Sequence, residues 1–164
     1  MAVSYPPGKS PADLQRKLSA MAARTQDMGP QLKVGAAAIN RLIVNTFSRQ
    51  SSPENAAWKP LAEATIAKRR KNSATALVDT GRLRSSIATA SGARTITFGT
   101  NVGYAGVHQF GSKRRVPGRP FIVARPFLPI TITGQLTDSA DPARVVFDRI
   151  FRSVGNYIVN GKVR

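Results

Sequence analysis

SSIATASGARTITFG, residues 85–99, is the stretch where the periodicity of this chain changes. Ser86-Ile87-Ala88-Thr89 and Arg94-Thr95-Ile96-Thr97-Phe98-Gly99 alternate with a period of two and are rich in β-branched residues. Such residues suit a pleated, half-buried surface. Ser91-Gly92-Ala93 supplies a turn between them. The segment therefore predicts an antiparallel hairpin with Ile96 and Phe98 on one face.

Toward the N-terminus the pattern is helical. Residues 1–9 contain Pro6, Pro7 and Gly8 and read as an extended, flexible arm. Ser10-Pro11-Ala12-Asp13 has the order of a helix start, with an N-cap serine, a first-turn proline and an acid. Leu14, Leu18 and Met21 then give an apolar face to about Arg24. Gly29-Pro30 interrupts, and a second helix is expected over 31–49, with Val34, Ala38, Leu42, Ile39, Ile43 and Phe47 in a broad stripe. Gly35 weakens it slightly. SSPENAAWKP, 51–60, reads as a loop in which Trp58 anchors the edge of the core. A short helix is expected over 61–72, its basic end Lys68-Arg69-Arg70-Lys71 wrapping the helix rather than marking one face. Those charges read best as a solvated cluster favourably placed at a helix C-terminus.

Toward the C-terminus, ALVDTGRLR (76–84) contains a Thr-Gly turn after a short apolar run. Phe121-Ile122-Val123 and Leu128-Pro129-Ile130-Thr131-Ile132-Thr133 offer further strand, which Pro126 and Pro129 restrict to edges or breaks. Asp141-Pro142 opens a last helix whose Val146, Ile150, Val154 and Ile158, flanked by Phe147, Phe151 and Tyr157, form a wide apolar face. The expectation is an α+β fold: a small antiparallel sheet packed against helices, in one domain over 10–164 behind the arm.

Composition narrows the chemistry. The chain of 164 residues has no Cys and a single His, so thiolate sites are excluded and a metal would have to rest on eight carboxylates. Neither a metal nor another cofactor is expected. No window reaches the roughly 18 unbroken apolar residues of a membrane span, and the opening MAVSYPPGKSPAD lacks the order of a signal peptide. A soluble protein made in the cytoplasm is expected. Lys and Arg number 25, a formal charge of +17, and no acid occurs between Thr80 and Thr137. A field of this size favours a polyanion or an acidic protein surface as partner.

The lone histidine lies in YAGVHQFG, 104–111. A catalytic base needs an orienting carboxylate and a nucleophile. Yet Asp79 and Asp138, the nearest acids in sequence, are each about thirty residues away, and no nucleophile elbow, HExxH or phosphate loop occurs. The structural reading of His108 is preferred, with its ring packed and its nitrogens bonded to backbone or a neighbour. The basic stretch 113–125 beside Tyr104, Phe110 and Phe121 also suits phosphate contact with base stacking. Nucleic-acid binding through it is the alternative function.

Several pieces stand in a fixed order: Phe47; Trp58-Lys59-Pro60-Leu61 with Thr65 and Arg69; Leu77-Val78-Asp79-Thr80-Gly81-Arg82-Leu83; Ser85-Ser86-Ile87; Gly99-Thr100; Tyr104-Ala105 with His108-Gln109-Phe110-Gly111; and Ala124-Arg125-Pro126-Phe127-Leu128. This order, over about half the chain, resembles the phage virion morphogenesis family, the tail-completion proteins of Mu-like phages. Two departures stand out. Pro53-Glu54-Asn55-Ala56-Ala57 replaces the family's usual Pro-Asp-Gly-like turn, and the closing motif is doubled as GRPF and ARPF, leaving two alignments open.

The resemblance implies a non-enzymatic virion protein, assembled in the host cytoplasm and located at the neck. It implies a homo-oligomeric ring, with a hexamer as the expected closure, at the head-proximal end of the tail. Such a ring ends tail polymerisation and meets tail tube or sheath protein on one side and head connector on the other. DNA enters only as the passing genome or through non-specific charge contact. Lys113, Arg114, Arg115, Arg119 and Arg125 are then the candidate docking loop between subunits or to a partner. Trp58, Tyr104, His108, Phe110 and Phe127 are the candidate structural anchors beneath it.

Overall fold

The computed structural model describes residues 6, 10–70, 73–112, 121–131, 135–136 and 142–161. Its elements run α1 (Pro11–Gln26), α2 (Gly29–Arg49), α3 (Glu63–Ala67), α4 (Arg82–Ser85), β1 (Ile87–Ser91), β2 (Ile96–Thr100), α5 (Ala105–Phe110) and α6 (Pro142–Asn160). Helices with a two-stranded antiparallel sheet make an α+β fold. The N-terminal arm lies outside the described residues except for Pro6.

Helix α2 is the spine. Leu32, Ala36, Ile39, Ile43 and Phe47 are buried along it at spacings of three and four, the signature of one helical face turned inward. Pro30 opens it, and Gln50 closes it in the left-handed conformation (φ 54°), its N–H bonded to the Thr46 carbonyl. The hairpin covers one side of α2, and α6 packs on another. In the hairpin Ile87 pairs Thr100, Thr89 pairs Phe98 and Ser91 pairs Ile96. These pairs share the face turned to α2, while Ala88, Ala90, Thr97 and Gly99 face out. The Met28 N–H bonds the Ala93 carbonyl at 2.8 Å and ties the α1–α2 joint to the hairpin turn.

Gly35 marks where α2, β2 and α6 meet. A Cβ there would stand 3.0 Å from Ile96 Cδ1 and 3.1–3.2 Å from Ile150 Cγ2 and Cγ1. The residue that weakens α2 as a helix former is therefore the one that lets the layers approach.

Under the spine sits an aromatic cluster. Phe47 meets Trp58 edge-on at 5.8 Å and Phe127 at 5.6 Å between ring centroids. Geometry of this kind adds about 0.5–1.5 kcal/mol per pair beyond burial. Ile43, Leu83, Val102 and Leu128 close the cluster.

Four outcomes differ from the sequence reading. The short helix after the Trp58 loop is confined to Glu63–Ala67. YAGVHQFG, with no periodicity long enough to read, forms α5. Residues 121–131 form no strand, and an isolated bridge from Ile130 to Leu136 is the one β pairing they make among the described residues. Pro126 and Pro129 remove two donors from any ladder, and α5 supplies the partners instead. Finally, α1 buries no residue: the expected Ser10 N-cap forms, with Asp13 N–H on Ser10 Oγ at 3.1 Å as part of a capping box, but Leu14 and Leu18 are 58% and 56% exposed.

Candidate functional site

The candidate site is the junction from which residues 113–120 leave the described structure. Lys113, Arg114, Arg115 and Arg119 lie within that stretch, outside the described residues. Both of its ends are described. The Ser112 N–H donates to the Ile122 carbonyl at 2.9 Å, and the Ile122 N–H donates to Ser112 Oγ at 3.0 Å. Gly111, with φ at 77°, turns the chain between α5 and this staple. A side chain there would press on Ala124 N and the Ile122 carbonyl, each 3.1 Å from an added Cβ. Glycine is needed at 111 both for its conformation and for the space.

Beyond the staple, residues 124–130 run back beside α5. The Arg125 N–H bonds the His108 carbonyl at 2.7 Å. Gln109, only 3% exposed, uses its whole amide on this segment. Its Nε2 donates to the carbonyls of Leu128 (2.9 Å) and Ile130 (3.2 Å), and its Oε1 accepts from the N–H groups of Phe127 (2.9 Å) and Leu128 (3.0 Å). Phe127 and Leu128 are buried without a strand neighbour among the described residues, so unpaired backbone there would be expensive. One glutamine takes the place of a β-strand. The sequence reading gave Gln109 no role beyond its place in the motif. The available signal was an apolar segment interrupted by two prolines, whose backbone groups had to find partners outside a sheet.

Arg125 behaves differently from a docking residue on a loop. It is 8% exposed, and its guanidinium points into the Trp58 loop: Nε and NH2 donate to the Lys59 carbonyl at 3.0 and 2.8 Å, and NH2 also to that of Pro60 at 3.2 Å. Burial, then the charge of Arg69, lowers its pKa. In return Trp58 Nε1 donates to the Pro126 carbonyl at 2.9 Å. The Trp-Lys-Pro and Arg-Pro-Phe motifs, 66–68 residues apart, thus hold each other by reciprocal bonds. Proximity in sequence grouped Arg125 with the basic loop; geometry groups it with Trp58 and Phe127.

The other aromatic positions near the junction are open. Tyr104 and Phe110 are exposed, and Tyr104 meets the His108 ring edge-on at 5.6 Å. His108 is half-buried and its Nδ1 is enclosed, yet among the described residues that atom has no hydrogen-bond partner. This departs from the expected bonding of both ring nitrogens. Burial, then the guanidiniums of Arg125 and Arg69, lowers its pKa below the ordinary 6.5, so the ring is neutral at neutral pH. Among the described residues, no cluster of acids and imidazoles could hold a metal ion, and no helix is long and apolar enough to cross a membrane.

Comparison with known proteins follows the same residues. The model of the phage virion morphogenesis family matches residues 11–153. A relative from Haemophilus influenzae, described as Mu-like prophage FluMu G protein 2, is 30% identical over 119 residues, covering 73% of this chain and 78% of its own. No solved structure matches.

Proposed function

The chain belongs to the phage virion morphogenesis family and so serves in building the phage particle as a virion-associated structural protein; within that role, we propose that it is the tail-completion subunit. In this reading copies of the chain close into a homohexameric ring on the head-proximal end of the tail. The ring stops tail polymerisation and presents a surface to the head connector. Residues 113–120, with Lys113, Arg114, Arg115 and Arg119, reach a neighbouring subunit or partner ring.

The observation that supports this most is the stapled base of that stretch. Four cations in eight residues are set on ends held by the Ser112–Ile122 bonds and, behind them, by Gln109. Fixed ends set the place from which the stretch meets a partner and lower the entropy lost on association. A basic subunit of +17 suits acidic partner rings, with association weakening as salt rises. A ring of identical subunits would reuse one heterologous interface around its axis.

Deleting the gene from the phage tests the proposal. The expected result is tails of abnormal length, or full heads and tails that fail to join, rescued by the wild-type gene in trans. Virions of normal tail length and normal yield would overturn it. The nucleic-acid alternative makes a separate demand: salt-sensitive DNA binding by the isolated subunit that disappears when Lys113, Arg114 and Arg115 are changed to Gln.

A further inference from the structure

A second surface, away from residues 113–120, has the features of a binding site. Between the turn at 79–82 and α5 lies a recess of about 300 Å³, walled by Arg69, Arg82, Tyr104 and His108 over Leu77 and Leu83. Its components come from two separate parts of the sequence, 69–83 and 104–108, and the fold brings them to one opening. Arg69 is held in place by donating to the carbonyls of Ser73 and Thr75. The exposed Arg82 side chain makes no hydrogen bond among the described residues. The floor is apolar and firm: Leu83 is 2% exposed, and Leu77 is held at φ 60°, a left-handed conformation that is strained for a bulky residue. Such strain persists only where surrounding packing enforces it.

We propose that this recess receives a carboxylate side chain from an acidic segment of another protein. Two guanidiniums and a phenol offer donors in a small, half-enclosed space, where a charge-assisted bond is stronger than in open water. The apolar floor accommodates the methylene stem of a Glu or Asp. A nucleic-acid backbone fits less well. It needs an extended basic track for its repeating phosphates, whereas this recess is small and closed by leucines; the Asp79 carboxylate in its wall opposes either anion and is outnumbered by the two guanidiniums. A second copy of this chain is also a poor donor, with eight acids against 25 basic residues. The His108 ring in the wall is held neutral by burial and by the guanidiniums of Arg125 and Arg69, and its enclosed Nδ1 makes no hydrogen bond among the described residues. The groups facing that ring are Tyr104 on its own helix, Arg125 from the returning segment and Arg69 from the turn after α3. A carboxylate arriving beside Arg69 offsets the guanidinium charge that disfavours protonation of the imidazole.

His108 is the only histidine, so its imidazole proton signals report on the recess without ambiguity. The experiment titrates hexaglutamate peptide into the full chain at about 0.15 M salt and follows those signals, with a single-stranded oligonucleotide of matching charge as the second arm. The expected result is a saturable shift with the peptide and a rise in the His108 titration midpoint when the peptide is bound. Arg82→Gln should weaken the peptide about threefold to fivefold, the size of one partly exposed charge contact. Lys33→Gln, on α2, serves as the charge control and should leave peptide binding unchanged. An unmoved His108 signal, an equal response to the oligonucleotide, or equal weakening by Lys33→Gln would each overturn the proposal. None of these outcomes depends on ring formation, so the test is independent of the tail-completion reading.

Discussion

The two ends of the molecule are held by different means. Around α5, order comes from a few directed bonds in a dry setting: Gln109 on residues 127–130, Arg125 on the Trp58 loop, and Trp58 on Pro126. Around α1 and α6, order comes from packing on one side only, and much apolar surface stays open. Leu14 and Leu18 of α1 are exposed, as are Val145, Phe151 and Val159 of α6, with Phe151 at 68%. Arg24 crosses between the two helices and donates to the carbonyls of Ile158 and Val159 at 3.1 Å each, a cation at a helix C-terminus. The first region specifies a conformation by polar satisfaction. The second is shaped by burial and leaves a surface unfinished.

The sharpest way to break that contrast is Gln109→Leu. The substitution keeps an apolar body of similar length but leaves the Phe127 and Leu128 N–H groups buried without acceptors. It is expected to lower stability by about 3–5 kcal/mol, read as a fall in the denaturant midpoint of the purified subunit. A loss under 1 kcal/mol would show that other groups or water hold the segment.

Gly35→Leu attacks the other region at its seam. The added side chain must displace Ile96 and Ile150, so α6 and the hairpin cannot both keep their seats on α2. A loss of about 2 kcal/mol is expected from overpacking, with faster amide exchange in α6 and β2 than in α5. Uniform loss of protection would mean that the two regions unfold as one.

A smaller, pH-dependent effect sharpens the comparison within the clamped region. The folded chain depresses the His108 pKa below 6.5, through burial first and then Arg125 and Arg69. The unfolded chain therefore takes up the proton at higher pH than the folded one. Stability is full above about 6.5 and is lost as pH falls from there through the folded value. His108→Phe should leave stability near neutral pH within about 1 kcal/mol, since it removes an unpartnered polar atom, and should flatten that acid-side slope in urea midpoints measured across the window. An unchanged slope would assign the acid sensitivity to other groups.

Much of this was legible in the sequence. The hairpin announced itself by its period of two, and α2 by a stripe of which Ile39, Leu42, Ile43 and Phe47 are buried, while Val34, read into the same stripe, is exposed and Leu32 and Ala36 take the inward positions. The N-cap of α1 was readable from Ser10-Pro11-Ala12-Asp13. Other features were not readable, for identifiable reasons. Helix α5 has six residues, too few for a periodicity to emerge. The apolar run 121–130 has strand composition, but its prolines and the Gln109 amide take the place of a ladder, and propensity says nothing of such a substitute. The leucines of α1 predicted a face without saying what covers it. Arg125 looked like its basic neighbours because charge is visible in a sequence and burial is not.

The Ser112–Ile122 staple has an evolutionary consequence. Because the chain is pinned on both sides of 113–120, the length and charge of that interval can change without altering the register of Gln109 on residues 127–130. Lengthening a closed loop adds only a slowly growing entropic term. The core and the interval can therefore change independently, and a substitution or insertion between the two stapled ends leaves the same fold around Gln109.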